Sequence, residues 1–153
     1  MRLDTVTLLT WIALTLVPQM APAHVTNETR SAAGLTVELG IVPAEALRGR
    51  PEEEAVRMMH GGLPSGRSMY HVMVAIFDAK TGQRVTDAQV RARVEEVGLT
   101  REEKALEPMQ VANAVTYGNF FRMAGQGTFR ITVQIRQPGT TRAVELQFEH
   151  KHS

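Results

Sequence analysis

There is no cysteine among the 153 residues, so disulfides, thiolate metal sites and cysteine nucleophiles are all excluded. Aromatic residues make up only 5%, with a single Trp, so the core must be filled largely by Val, Ile and Met. Neither sign of charge dominates: 17 basic and 16 acidic residues leave a net charge of +1. Without a concentrated basic face, nucleic acid is not an expected partner. No amphipathic helix of the membrane-binding kind is evident. The apolar run Val6 to Val17 falls short of the roughly 20 residues needed to span a bilayer.

Catalytic signatures are missing as well. There is no Gly-x-Ser-x-Gly elbow for a nucleophilic serine. The glycine-rich stretch Gly61-Gly62-Leu63-Pro64-Ser65-Gly66 precedes a strand and lacks the Lys and Ser/Thr of a phosphate loop. The acidic residues fall on charged loops, not in pairs suited to acid–base hydrolysis. The expectation is a protein that is not an enzyme.

The first 23 residues are read as a signal peptide. Arg2 gives a positive start, Val6 to Val17 forms the apolar centre, Pro18 ends it, and Ala21-Pro22-Ala23 is a small-x-small cleavage site. An uncleaved anchor is the alternative. Cleavage after Ala23 implies export, with the periplasm as the expected location. It would also make His24 the first residue, whose amine and imidazole could chelate copper together. Residues 24–34 are polar, show no period and read as a flexible leader.

From residue 35 the pattern is that of strands. Leu35, Val37, Leu39 and Ile41 alternate with polar residues. Pro51 followed by three glutamates reads as the start of a helix of about two turns. Met69 to Phe77 is apolar on both faces, as in a strand buried on both sides. Asp78 to Gln83 is a turn, and Ala88 to Val97 alternates again. Arg101 to Lys104 reads as an exposed loop, followed by short strands around Met109 and Phe120. Phe129, Ile131, Val133 and Ile135 share one face of a later strand, and Val144, Leu146 and Phe148 share one face of the last. His150 and His152 continue that parity, but read as a solvated tail. About seven short strands separated by turns, over residues 35–153, predict an all-β, immunoglobulin-like β-sandwich.

Met58 to Met73 holds four of the eight methionines together with His60 and His71. Thioether and imidazole are the donors that soft copper prefers, whereas Met also fills cores. His71 lies on an apolar strand, so it is either a buried core histidine or a ligand. None of the histidines has zinc-type spacing.

Three segments carry a family resemblance: Glu107-Pro108-Met109-Gln110-Val111-Ala112, Thr116-Tyr117-Gly118-Asn119, and Met123 to Val133. Together with Val37 to Ile41 and Phe77 to Gly82, they resemble the periplasmic copper-binding proteins associated with bacterial iron uptake, over residues 35–42 and 70–136. The resemblance implies an immunoglobulin-like fold, a Met/His copper site and a homodimer. It places Met109 at the family's methionine ligand and Glu38 at its nearby carboxylate. Thr36 and Thr116 stand where that family has histidines, and its histidine-bearing loop before the last strand is reduced here to Gln137 to Thr141.

The resulting expectation is an exported protein binding a copper ion through Met59, His60, His71 and Met109. It would act in copper handling or metal uptake, without catalysis, and with a membrane permease or a second copy as partner. A metal-free interaction module that binds a protein partner by strand addition is the alternative.

Overall fold

The computed structural model describes residues 26–50, 57, 61–96, 99 and 101–152. Its elements are β1 (Thr26–Ala32), β2 (Leu35–Pro43), a 3-10 turn (Ala44–Leu47), β3 (Met69–Asp78), β4 (Gln89–Glu96), β5 (Arg101–Val111), β6 (Ala114–Arg122), β7 (Thr128–Arg136) and β8 (Val144–Lys151). The strands form one antiparallel sheet in the order β1-β2-β3-β6-β5-β4-β7-β8.

Strand β5 joins the two halves of this sheet. Its first part, Arg101 to Leu106, pairs with β4. Its second part, Glu107 to Val111, pairs with β6. The outer strands β1 and β8 approach each other and almost close the sheet. Across that seam the Arg30 guanidinium lies 5.6 Å from the centre of the Phe148 ring. The fold is therefore all-β, as expected, but it is an eight-stranded, barrel-like sheet rather than a sandwich of about seven strands.

The interior follows the alternation in the sequence. Leu35, Val37, Leu39 and Ile41 of β2 pack with Val72, Val74 and Ile76 of β3, Ile131, Val133 and Ile135 of β7, and Phe148 of β8. Burial of these apolar faces is the main favourable term in forming the sheet. Buried Tyr117 meets the need of its hydroxyl: the oxygen accepts from the Ala88 N–H at 3.1 Å and donates to the Val85 carbonyl at 3.4 Å.

Two segments depart from the expected pattern. Residues 26–32, read as part of a flexible leader, form β1 and pair with β2 from Thr26↔Ile41 to Ala32↔Leu35. Their side chains are mostly exposed, so no apolar period marks them; pairing of backbone groups with the edge of β2 holds the strand. Arg101 to Lys104, read as a loop, begins β5. There Glu103 accepts from Arg91 of β4 at 3.0 Å, and Lys104 donates to the Phe120 carbonyl at 2.7 Å. The expected turn at Asp78 to Gln83 is present, with the Asp78 N–H donating to the Gln83 carbonyl at 2.8 Å. The helix expected after Pro51 lies outside the described residues except for Arg57. Among the described residues, no helix is long and apolar enough to cross a membrane.

Candidate metal centre

The half of the sheet built from β2, β3, β6 and β5 has a second apolar face, turned away from the main core. Strand alternation places His71 and Met73 of β3, Gly118 and Phe120 of β6, and Met109 of β5 on it. Register then brings them together. His71 pairs with Phe120 and Met73 with Gly118 across β3 and β6. Glu107 pairs with Gly118 and Met109 with Thr116 across β6 and β5.

This face is covered by the chain that leaves β2. Pro43 ends the strand, and Ala44 and Leu47 of the following turn pack with Val42, Met109 and Phe120. Leu63, Met69 and Met73 border the same cluster. His71 is consequently fully buried and Met109 is 3% exposed. This is why β3 is apolar on both sides.

Gly118 sets the geometry of the cluster. A Cβ at that position would stand 2.7 Å from His71 Nε2 and 3.0 Å from Met109 Sδ. The imidazole and the thioether therefore converge on one small space above the bare Cα of β6. The His71 ring also packs on Phe120, with centroids 4.7 Å apart. Met73 stands beside them, its methyl 3.7 Å from where a Cβ on Gly40 would lie. One imidazole among thioethers is a soft donor set, suited to copper(I) more than to zinc. Among the described residues, no group of three or more His, Asp or Glu could hold a metal ion, so metal binding here depends on the sulfur donors.

Two of the four sequence-predicted ligands, His71 and Met109, are thus neighbours. The other two, Met59 and His60, lie outside the described residues, as does His24. Met123 faces the main core. Sequence reasoning missed Gly118 and the covering role of Leu47 and Leu63. The alternation of β6 places Gly118 and Phe120 on the same face, but the register with β3 and β5 was not available from sequence.

The positions suggested by the family resemblance look different. Glu38 is exposed on β2. The Thr36 hydroxyl lies 3.0 Å from that of Ser31. Beside Thr116, Arg84 donates to the Val115 carbonyl at 2.8 Å and lies 3.5 Å from the Thr116 hydroxyl. A permanent cation next to that threonine disfavours a metal ion there. The donors that remain are those at the His71 end.

The C-terminal histidines are not a solvated tail. His150 is 6% exposed and ends the inward face of β8, and His152 follows it. Their ring centroids are 5.1 Å apart. Tyr70 stacks on His152 at 5.0 Å, and Phe129 lies 5.0 Å from the same ring. Burial, and then the neighbouring His152, hold the His150 imidazole below the ordinary histidine range. Burial, and then the Glu45 carboxylate, push the Tyr70 phenol up.

No protein-family model matches the chain, and no curated protein matches it. Solved structures do. A copper-bound glutamate-to-glutamine variant of FetP from uropathogenic Escherichia coli strain F11 superposes with a TM-score of 0.62 at 16% identity, covering 86% of this chain and 98% of that one. FetP as isolated after expression in the Escherichia coli periplasm gives a TM-score of 0.62 at 16% identity, covering 84% of this chain and 95% of that one. A DUF4426 family protein from Pseudomonas aeruginosa gives a TM-score of 0.61 at 18% identity, covering 82% of this chain and 94% of that one. The fold of this chain is that of FetP and of the DUF4426 family protein, in line with the resemblance read from the sequence.

Proposed function

We propose that this chain is an exported, non-enzymatic metal-binding protein that holds copper, as copper(I), at the cluster over Gly118 and acts in copper handling or metal uptake. The observation that carries this reading is the convergence of His71 Nε2 and Met109 Sδ on the space left by Gly118. Met73 and Met69, which border the cluster, add soft donors. Met59 and His60, in the segment before β3, are the sequence's further candidates. The copper-bound FetP structure supports copper as the first metal to test. The amino-terminal segment supports export. Bound there, copper would be cargo: His71 would orient one imidazole and Met109 one thioether, and the covering Leu47 and Leu63 would limit access of water.

The strand-addition reading has less to draw on. Partners that bind in that way need an exposed sheet edge, and the edge strands β1 and β8 approach each other across the seam.

Anaerobic titration of copper(I) against a chromophoric competitor tests the proposal. The expected result is one ion bound more tightly than about micromolar, roughly −8 kcal/mol, with affinity lost in His71→Ala and reduced in His60→Ala. Binding weaker than that, or unaffected by His71→Ala, overturns the reading.

A further inference from the structure

We propose that His150 and His152 form a second metal site, independent of the Met/His cluster, which takes one divalent ion of the zinc–copper class through both Nε2 atoms. The two residues are two apart on β8 and its end, so their side chains leave the same face of the strand. Their Nδ1 atoms already have partners. The Nδ1 of His152 lies 2.6 Å from the Gly125 carbonyl. A carbonyl only accepts, so this nitrogen carries the proton and the Nε2 of neutral His152 presents its lone pair. The Nδ1 of His150 lies 3.1 Å from the Thr26 hydroxyl, which can accept from it in the same way. Such outer partners fix the tautomer and orient the ring in protein metal sites.

Both Nε2 atoms are buried and lack a hydrogen-bond partner among the described residues. A buried imidazole nitrogen left in that state is costly unless a ligand satisfies it. Two imidazoles bound to one ion at about 2.0–2.1 Å, with near-tetrahedral separation, hold their ring centres about 5 Å apart; the observed separation is 5.1 Å. The pair lines a cavity of about 370 Å³ that also includes Thr26, Tyr70 and Gln126. Tyr70 stacks on the His152 ring and Phe129 packs against it at a tilt. His152 itself is partly exposed, which gives an ion an approach and leaves its remaining positions to water. Two nitrogen donors suit zinc(II) or copper(II), whereas the cluster over Gly118 is built for a softer ion.

The test is a calorimetric titration of zinc(II) into the full chain, paired with imidazole nitrogen NMR. One zinc ion is expected to bind, shifting the Nε2 resonances of both His150 and His152, and His152→Ala is expected to weaken binding at least tenfold. The NMR arm uses the native chain and does not depend on a variant folding. The proposal is overturned if the native chain binds no zinc, if its His150 and His152 Nε2 signals stay in place, or if His152→Ala binds as the native chain does. A comparable loss in Met109→Leu would assign the ion to the other cluster and overturn it equally.

Discussion

His71 of β3 and Met109 of β5 do not sit on adjacent strands, yet their Nε2 and Sδ atoms face the same bare Cα on the strand between them. A Cβ on Gly118 would meet these atoms at 2.7 and 3.0 Å. Gly118→Ala therefore forces both side chains to move inside a buried cluster. Overpacking of this kind costs about 1–3 kcal/mol. Urea denaturation should show a lower midpoint with an unchanged slope, and copper(I) affinity should fall with it. If Gly118→Ala keeps full stability and native affinity, the two donors do not need this space.

Met109→Leu separates packing from ligation. Leucine nearly preserves the volume of methionine, and swaps of this type cost less than about 1.5 kcal/mol. The variant should stay folded. Its copper(I) affinity should nevertheless drop by at least about tenfold, or about 1.4 kcal/mol, because the thioether is gone. A competition titration on the folded variant measures this directly, and native affinity would assign Met109 to packing alone.

The sequence revealed strands more readily than their arrangement. Alternation located β2, β3, β7 and β8 because each buries a regular apolar face. It passed over β1, whose TNETRSA stretch is mostly exposed and held by backbone pairing. It also passed over the start of β5, where Arg101 to Lys104 are charged and engage cross-strand partners. Without those two segments the nearly closed eight-stranded sheet could not be counted. The candidate site was legible in part for the same reason. His71 and Met109 could be named from donor chemistry and resemblance. Gly118 acquires meaning only from a register in which it pairs with both Met73 and Glu107. The His150 and His152 parity with Phe148 was visible, but their burial depends on Tyr70 and Phe129, contributed by β3 and β7.

Tyr117→Phe tests how the buried end of β6 is anchored. The phenol ring is almost wholly buried, and its oxygen serves the Ala88 N–H and the Val85 carbonyl. Phenylalanine keeps the ring but leaves the Ala88 N–H without that acceptor. The expected loss is about 1–2 kcal/mol, read as a lower urea midpoint. Copper(I) affinity should be unchanged, since Tyr117 faces the main core and not the cluster over Gly118. No loss of stability would show that water replaces the hydroxyl at no cost.

The turn after β3 makes stability depend on acid. The Asp78 carboxylate accepts from the Thr81 N–H at 2.8 Å, the Thr81 hydroxyl at 2.9 Å and the Lys80 N–H at 3.0 Å. The Thr81 backbone bond, then the Thr81 hydroxyl, then the Lys80 backbone bond hold its pKa below the ordinary carboxylate value of 3.8. A carboxyl with a depressed folded-state pKa binds its proton more tightly in the unfolded chain. Its contribution is therefore complete above the ordinary carboxylate range and is lost as pH falls through that range towards the depressed value. Asp78→Ala should lower stability at neutral pH and leave a shallower decline as pH falls below about 4. Thermal melts of both proteins across that range supply the comparison. Parallel stability curves would show that Asp78 contributes nothing through its charge, and that the turn is held by the Asp78–Gln83 backbone bond and the positive-φ Gly82.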